Sequence, residues 1–327
     1  AWFEGLWDCD HLARVLTLFA MNREALESAV HGNLLSLALA RLRHLARANT
    51  RSGSRRNIMA HYDLGNEFYA LWLDPSMTYS SALFDGDPQR DLAAAQHAKY
   101  ARIARVLRLQ RQQPVIEIGC GWGGFAEVAA REFGAQVHGV TLSPAQLEWA
   151  QARAQRGGFA DRATFELRDY RDLRGQVDRI VSIEMLEAVG ERWWPTYFRK
   201  LGGLLRIGGE AVVQTISIAD ELFPRYRRGT DFIQQYVFPG GMLPSPSVFT
   251  RQAEKAGLNV QQNFRFGLDY AITLARWRDS VTEHSDALRA LGFDTRFQRL
   301  WHFYLAYCEA GFRAGSIDVH QFHLVKP

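Results

Sequence analysis

The stretch VIEIGCGWGG, residues 115–124, is an apolar run broken by one carboxylate and closed by four glycines in six positions. An apolar run of this length bounded by glycine reads as a strand buried on both faces. Gly119, Gly121 and Gly123 fall where that strand must turn into a helix, and without Cβ atoms they let backbone and ligand approach closely. The loop alone is a weak signal, because dinucleotide-binding domains place glycines here too.

Two neighbouring details separate the readings. A dinucleotide domain usually ends its second strand on Asp or Glu, which holds the ribose hydroxyls; here Gly139, Val140, Thr141 and Leu142 stand there. Glu117, two residues before the first glycine, suits the α-amino group of a methionine moiety. Both favour S-adenosylmethionine over NAD. The cationic sulfonium is stabilised by aromatic faces, so Trp122 and Tyr79 are either its neighbours or plain packing residues. Asp169 and Tyr170, after the third strand, are placed to reach the adenine edge, since ligands of such sheets bind outside the carboxyl ends of the strands.

Outward from the loop, helices and strands alternate: helix 91–109, the loop strand, helix 123–132, strand QVHGVT, helix 144–156, then strands ATFELRD and RIVSIE. Helix 193–205, strand EAVVQTIS, helix 246–256, strand GLNVQQNFRF, helices 271–290 and 294–313, and strand IDVHQFHLVKP follow. This alternation predicts a doubly wound α/β fold with a mainly parallel seven-stranded sheet; joined to the cofactor reading of the loop, it is expected to be Rossmann-like, of the class I methyltransferase kind. The segment 217–245 is too long for a simple connection and is expected to cover the site as an insertion.

Upstream, apolar positions at helical spacing (Leu12, Val15, Leu16, Phe19, then Leu34 to Leu45) predict a helical N-terminal domain and basic linker over 1–56, with the methyltransferase domain spanning 57–327. No Asp or Glu occurs between Glu27 and Asp63, whereas Arg41, Arg43, Arg47, Arg51, Arg55 and Arg56 cluster there. That cluster reads as a solvated face, as a dock for anionic headgroups, or as support for a homodimer. With 47% hydrophobic and 23% charged residues the chain is globular, and no apolar run approaches the roughly 20 residues that cross a bilayer. The first residues lack the features of a secretory signal. Cys9, Cys120 and Cys308 are too few and scattered for a disulfide framework or zinc site, so a cytoplasmic setting without metal is expected.

Several separated motifs carry a family resemblance: HYDLGNEFYALWLDPSMTYSSALF (61–84), VIEIGCGWGGFAEVAA (115–130), GVTLSPAQLEWA (139–150), DRIVSIEMLEAVG (178–190), YVFPGGMLPS (236–245) and CEAGFRAGSI (308–317). Across 57–327 the chain resembles the cyclopropane-fatty-acid synthases and related mycolic-acid methyltransferases. The resemblance implies methyl transfer to a double bond in an acyl chain of a membrane phospholipid, by a cytoplasmic, peripherally membrane-associated enzyme. The motifs add Ser80, Gln146 and Ile183 to the expected cofactor site. Phe232, Tyr236, Phe238 and Gly240 become the expected substrate pocket, either shielding a carbocation or only packing.

In that family a bicarbonate ion takes the released proton. The resemblance carries its holders onto Cys120, Glu187 and Tyr270. Gln214 stands where the family has His, although its amide is able to bond a carbonate. Glu184 stands where glycine is usual, three residues from Glu187 and near it on one face if that segment is helical. Close carboxylates push one pKa upward, so a Glu acting directly as base is the alternative to bicarbonate. The combination of EMLEAVGE, VVQTISI and DFIQQYVFPGG is similar to a divergent branch, some of whose members methylate unsaturated chains without ring closure. Two further readings remain: an RNA or small-molecule methyltransferase using the arginines for phosphates, against which no nucleic-acid module is found, and a non-catalytic cofactor- and lipid-binding protein. His61 and Cys308, though in motifs, read as structural residues.

Overall fold

The computed structural model describes residues 1–23, 25 and 64–327. The arginine cluster, the remaining helices expected before residue 56, the linker, the boundary near 56 and His61 lie outside the described residues. Seven strands, β1 (Pro114–Ile118), β2 (Gln136–Thr141), β3 (Ala163–Leu167), β4 (Val177–Ile183), β5 (Leu205–Ile218), β6 (Asn259–Arg265) and β7 (Ile317–Val325), form one sheet ordered β3-β2-β1-β4-β5-β7-β6. The pairs β3–β2, β2–β1, β1–β4 and β4–β5 are parallel, and β7 runs antiparallel to both β5 and β6. The expected mainly parallel seven-stranded sheet is present.

Central position explains the composition of β1: its last four residues are buried, so it must be apolar on both faces. One face is covered by α3 (Leu92–Val106), α4 (Gly124–Glu132) and α5 (Pro144–Arg156), which bury Ile103, Phe125 and Ala150 with Val137, Val181 and Val212. The other receives α6 (Trp194–Leu204) and α9 (Pro246–Lys255), with Phe198, Leu201 and Phe249 against Ile180, Val213 and Phe322. The strand order reverses on either side of β1, which opens a crevice at its carboxyl end, where such sheets bind ligands.

Two sequence readings change. The helix expected over 271–290 is two, α10 (Gly267–Glu283) and α11 (Ser285–Ala290), interrupted at His284. Strand five begins at Leu205, five residues before the expected start. The segment 217–245 contains the short helices α7 (Phe223–Tyr226) and α8 (Phe232–Tyr236). At the start of the chain, α1 (Leu12–Met21) packs on α12 (Thr295–Arg313), where Trp2, Leu12 and Ala13 are buried with Ala306. Phe19, expected on the apolar stripe of α1, is exposed. A short helix α2 (Asn66–Ala70) delivers Phe68 and Tyr69 to an aromatic cluster beside the crevice.

Candidate active site

The glycine loop bends as its composition demands. Gly119, Gly121 and Gly123 have φ of +81°, +51° and +84°, in the left-handed region that side chains disfavour. Their roles differ. A Cβ on Gly119 would meet Met185 Cγ at 2.9 Å, and one on Gly123 would press Ala150 and Phe165 at 3.2 and 3.3 Å, so these two serve close packing. A Cβ on Gly121 would meet nothing within 4 Å and would stand in the cavity that the loop borders.

That cavity gathers Tyr79, Ser80, Glu117, Gly119, Gly121, Thr141, Leu142, Gln146, Asp169, Tyr170 and Ile183; of the expected cofactor residues Gly123 alone does not line it, and Gly124 does. Glu117 is 3% exposed, and its Oε2 has no hydrogen-bond partner. Burial pushes its pKa well up, with Lys99 opposing the shift. A buried carboxylate oxygen left open needs a partner, and an ammonium group at the cavity wall would supply one. Thr141 donates to Gln146 Oε1 at 2.8 Å, joining the end of β2 to α5. Asp169 is gripped by Arg171 Nε at 2.9 Å and Nη2 at 2.5 Å, which fixes its carboxylate beside the cavity.

Trp122 and Tyr79 both border the cavity and both pack, so the two roles are not exclusive. The Trp122 indole donates to Asn66 Oδ1 at 2.8 Å, its ring lies 5.1 Å from that of Tyr69, and the Tyr79 hydroxyl pairs with that of Tyr304 at 2.9 Å. The donor set therefore fits S-adenosylmethionine: an unpaired carboxylate, two aromatic faces, a Thr–Gln pair and space over Gly121.

The second half of the site centres on Glu184. It lines the cavity in the left-handed conformation, φ +49°, which explains why glycine would be tolerated there and why a glutamate is strained. Its Oε1 accepts from the Ser81 N–H at 2.8 Å and from Gln214 Nε2 at 2.7 Å, and its Oε2 accepts from the Tyr270 hydroxyl at 2.6 Å. Burial raises its pKa, while Lys99 and these three donors pull it back.

Glu184 and Glu187 do not share a helical face, because the chain reverses at Glu184 and a short 3-10 turn over Leu186–Ala188 begins beyond it. Their charges still interact. Burial first, and then Glu184, push Glu187 up to about 8. Glu187 lies behind the cavity wall, its Oε1 accepting from Thr215 Oγ1 at 3.0 Å and from the Ile216 N–H, with Oε2 buried and unpaired. Cys120 borders the cavity, burial pushes its thiol pKa well up, and its backbone is committed: the N–H to Val140 O at 3.0 Å and the carbonyl to the Gly123 N–H at 2.9 Å. Tyr270 and Gln214, expected to hold an anion, hold the protein's own carboxylate.

The insertion residues stand apart from this cavity. Phe232 stacks on Tyr236 at 5.4 Å and meets Phe303 of α12 at 4.8 Å, Phe238 lies 6.1 Å from Tyr304, and Gly240 turns the chain at φ +81°. None of the four lines the cavity; Phe238 packs on Tyr304, whose hydroxyl pairs with that of Tyr79 at the cavity wall. Cys308 is half-buried in the same aromatic cluster.

Sequence reasoning missed Lys99 and Ser81. Lys99 is fully buried, donates to Ser80 Oγ at 2.5 Å and Gln96 Oε1 at 2.8 Å, and is pulled down to about 7 by burial despite Glu184, Asp74 and Glu117. A signal existed: Lys99 is four residues from both Ala95 and Ile103, so it falls on the buried stripe of its helix.

Residues 49–322 match the family described as mycolic acid cyclopropane synthetase. The chain belongs to that family. It is 40% identical to the tuberculostearic acid methyltransferase UfaA1 of Mycobacterium tuberculosis, over all of this chain and 78% of that protein. To the cyclopropane-fatty-acyl-phospholipid synthase of Escherichia coli K12 it is 34% identical, over 98% of this chain and 80% of that one. Among solved structures, the mycolic acid cyclopropane synthase CmaA1 complexed with SAH and CTAB superposes with a TM-score of 0.77 at 31% identity, covering 83% of this chain and 97% of that one. This cyclopropane-synthase-family protein is an S-adenosylmethionine-dependent methyltransferase acting on fatty acyl or lipid substrates. Among its described residues no helix is long and apolar enough to cross a membrane, and no group of His, Cys, Asp and Glu could hold a metal ion.

Proposed function

We propose that this enzyme methylates the double bond of an unsaturated phospholipid acyl chain, that Glu184 removes the proton, and that the product is a methyl-branched alkene without ring closure. The observation that carries the reading is the Glu184 carboxylate at the cavity wall, held by Ser81, Gln214 and Tyr270. Two of the holders that the resemblance assigns to a bicarbonate, Gln214 and Tyr270, bond a group of the chain itself.

When bound, S-adenosylmethionine supplies an electrophilic methyl group. The alkene π pair forms the new C–C bond, the methyl–sulfur pair stays on sulfur, and a neighbouring carbon becomes cationic. Glu184 then accepts a proton, and the released C–H pair forms the new double bond. Oε1 is filled by two donors, so the proton lands on Oε2, and the Tyr270 hydroxyl turns from donor to acceptor. The aromatic faces of Trp122 and Tyr79 favour positive charge and keep water away. Lys99, buried near Glu184 and titrating near neutrality, favours the ionised base between turnovers.

Replacement of the family's His by Gln214, together with a base fixed to the protein, supports a different proton being removed. The relative matched over the whole chain is named a methyltransferase, whereas the family description and the E. coli relative are named for ring formation; ring closure is therefore the second reading. The fixed base disfavours the non-catalytic reading. Arg51, Arg55 and Arg56 are the proposed contact with anionic headgroups.

The test is mass spectrometry of lipids from vesicles of oleoyl phospholipid treated with enzyme and labelled cofactor. A branched alkene is expected, and a cyclopropane product overturns the product assignment. In the same assay Glu184→Gln should lose turnover while cofactor binding persists; retained turnover removes Glu184 as base.

A further inference from the structure

Gln214 is one of two buried glutamines that face each other across the sheet. Gln214 and Gln321 are direct cross-strand partners on β5 and β7, at 0% and 1% exposure, and Gln321 Nε2 donates to Gln214 Oε1 at 3.0 Å. Arg102 of α3 donates from Nη1 to Gln321 Oε1 at 2.5 Å. Its guanidinium lies 3.7 Å over the ring of Phe264, which pairs with Gln321 from β6. Four elements and the turn after β4 thus contribute to one row: Arg102, Phe264, Gln321, Gln214 and Glu184.

A carboxamide bonds in either of two orientations, and the network decides which it takes. Here the ends decide. A guanidinium only donates, so Gln321 must turn its oxygen to Arg102 and its NH2 to Gln214. Gln214 must then accept through its oxygen and present its own NH2 outward. An ionised carboxylate only accepts, and Glu184 Oε1 receives that NH2 at 2.7 Å. Every bond points the same way.

We propose that Arg102 and Gln321 are positioning residues that polarise Gln214 as a one-way donor, keeping Glu184 ionised at Oε1 and steering the captured proton to Oε2. The proposal rests on Glu184 being the base. The relay also defines what a substitute at 214 must supply, because a side chain presenting an acceptor toward Oε1 opposes the same charge. The titratable groups that face Glu184 from other elements are Lys99 of α3, Tyr270 of α10 and Glu187; none of them belongs to the relay, so its effect is separable from theirs.

The decisive variant is Gln321→Glu. It keeps the size and the Arg102 contact but offers Gln214 only an acceptor, so Gln214 must turn its NH2 to the introduced carboxylate and its oxygen to Glu184. Rates on oleoyl-phosphatidylglycerol vesicles are measured across pH, alongside calorimetric binding of S-adenosylhomocysteine. The expected result is a kcat about 100-fold lower, as for loss of an aimed donor, with the acid limb of the pH–rate profile moved up by about one unit and S-adenosylhomocysteine affinity retained. A profile unmoved and a rate within about three-fold of the parent overturn the relay. If Gln321→Glu loses its fold, the Arg102 pair decides: Arg102→Met should slow the reaction and raise the acid limb, and Arg102→Lys, which still donates, should recover most of both. Equal loss in the two with no movement of the limb overturns the proposal. Glu184→Gln run in parallel separates the failures: if it remains active the base assignment fails, and if it is dead while Gln321→Glu is unaffected only the relay fails.

Discussion

Glu184 occupies a backbone conformation that costs a non-glycine residue roughly 1–2 kcal/mol. Strain held at a cavity wall is retained where the side chain has work to do, and Glu184→Gly separates the two contributions. That variant should melt slightly higher in thermal unfolding and yet be inactive. Added bicarbonate should restore part of its turnover, because Tyr270 and Gln214 would again face an anion; no response to bicarbonate means that these donors cannot serve a free ion. Glu187 yields a prediction of opposite character. Its native pKa, about 8, exceeds the ordinary 4.5, so between those values the folded chain holds a proton that the unfolded chain has released. Stability contributed there falls as pH rises from about 4.5 through 8, at up to roughly 1.4 kcal/mol per unit. Glu187→Gln keeps an oxygen for Thr215 and the Ile216 N–H and removes the titration. Urea denaturation at several pH values should therefore show a flatter profile for the variant, and an unchanged slope would mean that other groups set it.

At the scale of elements, the site depends on contacts that leave no room for a methyl group. Gly139 of β2 has ordinary backbone geometry, but a Cβ there would meet Phe165 Cδ1 at 2.8 Å and Cys120 Cβ at 2.9 Å. Gly139→Ala should lose about 1–3 kcal/mol from overpacking and weaken cofactor binding by shifting the glycine loop; cofactor calorimetry beside denaturation reads both. What the sequence discloses about elements follows how local their causes are. The helix over Pro144–Arg156 matches its expected ends, since Ser143 caps it through the Gln146 N–H at 3.3 Å and proline opens it, all within four residues. The break at His284 has no glycine or proline to announce it. The left-handed turn at Glu184 hides for the opposite reason, since a glutamate gives no sign of positive φ, and the expected shared helical face failed there. Gln321 was legible only as a strand residue, because the role proposed for it depends on a cross-strand partner 107 positions away and a helix 219 away.

For the molecule as a whole, residues before the sheet are fastened to residues near its end. Trp2 is buried, donates its indole N–H to Arg299 O at 3.2 Å and lies 4.4 Å beneath the Arg299 guanidinium. Trp2→Ala should cost roughly 3 kcal/mol or more, seen as a lower melting temperature, with catalytic constants of the folded fraction unchanged because the contact is on the outer side of α12. Association with lipid belongs to the same scale. If the arginines between 41 and 56 meet headgroups, neutralising Arg51, Arg55 and Arg56 together should weaken cosedimentation with anionic vesicles, and high salt should do the same to the parent. Unaltered sedimentation assigns them to solvent.

The last strand in sequence order is not at the margin of the sheet. It slots between β5 and β6, and it carries Gln321. A chain synthesised only as far as β6 therefore carries the cofactor loop, Glu184 and Gln214 and still lacks the group proposed to orient them. Until residue 321 is released and threaded into place, β5 offers an open edge and β6 has no neighbour. On the proposed relay, a product truncated before β7 keeps the sequence of the cofactor loop but has an unaimed base, so activity should appear only when that strand is supplied.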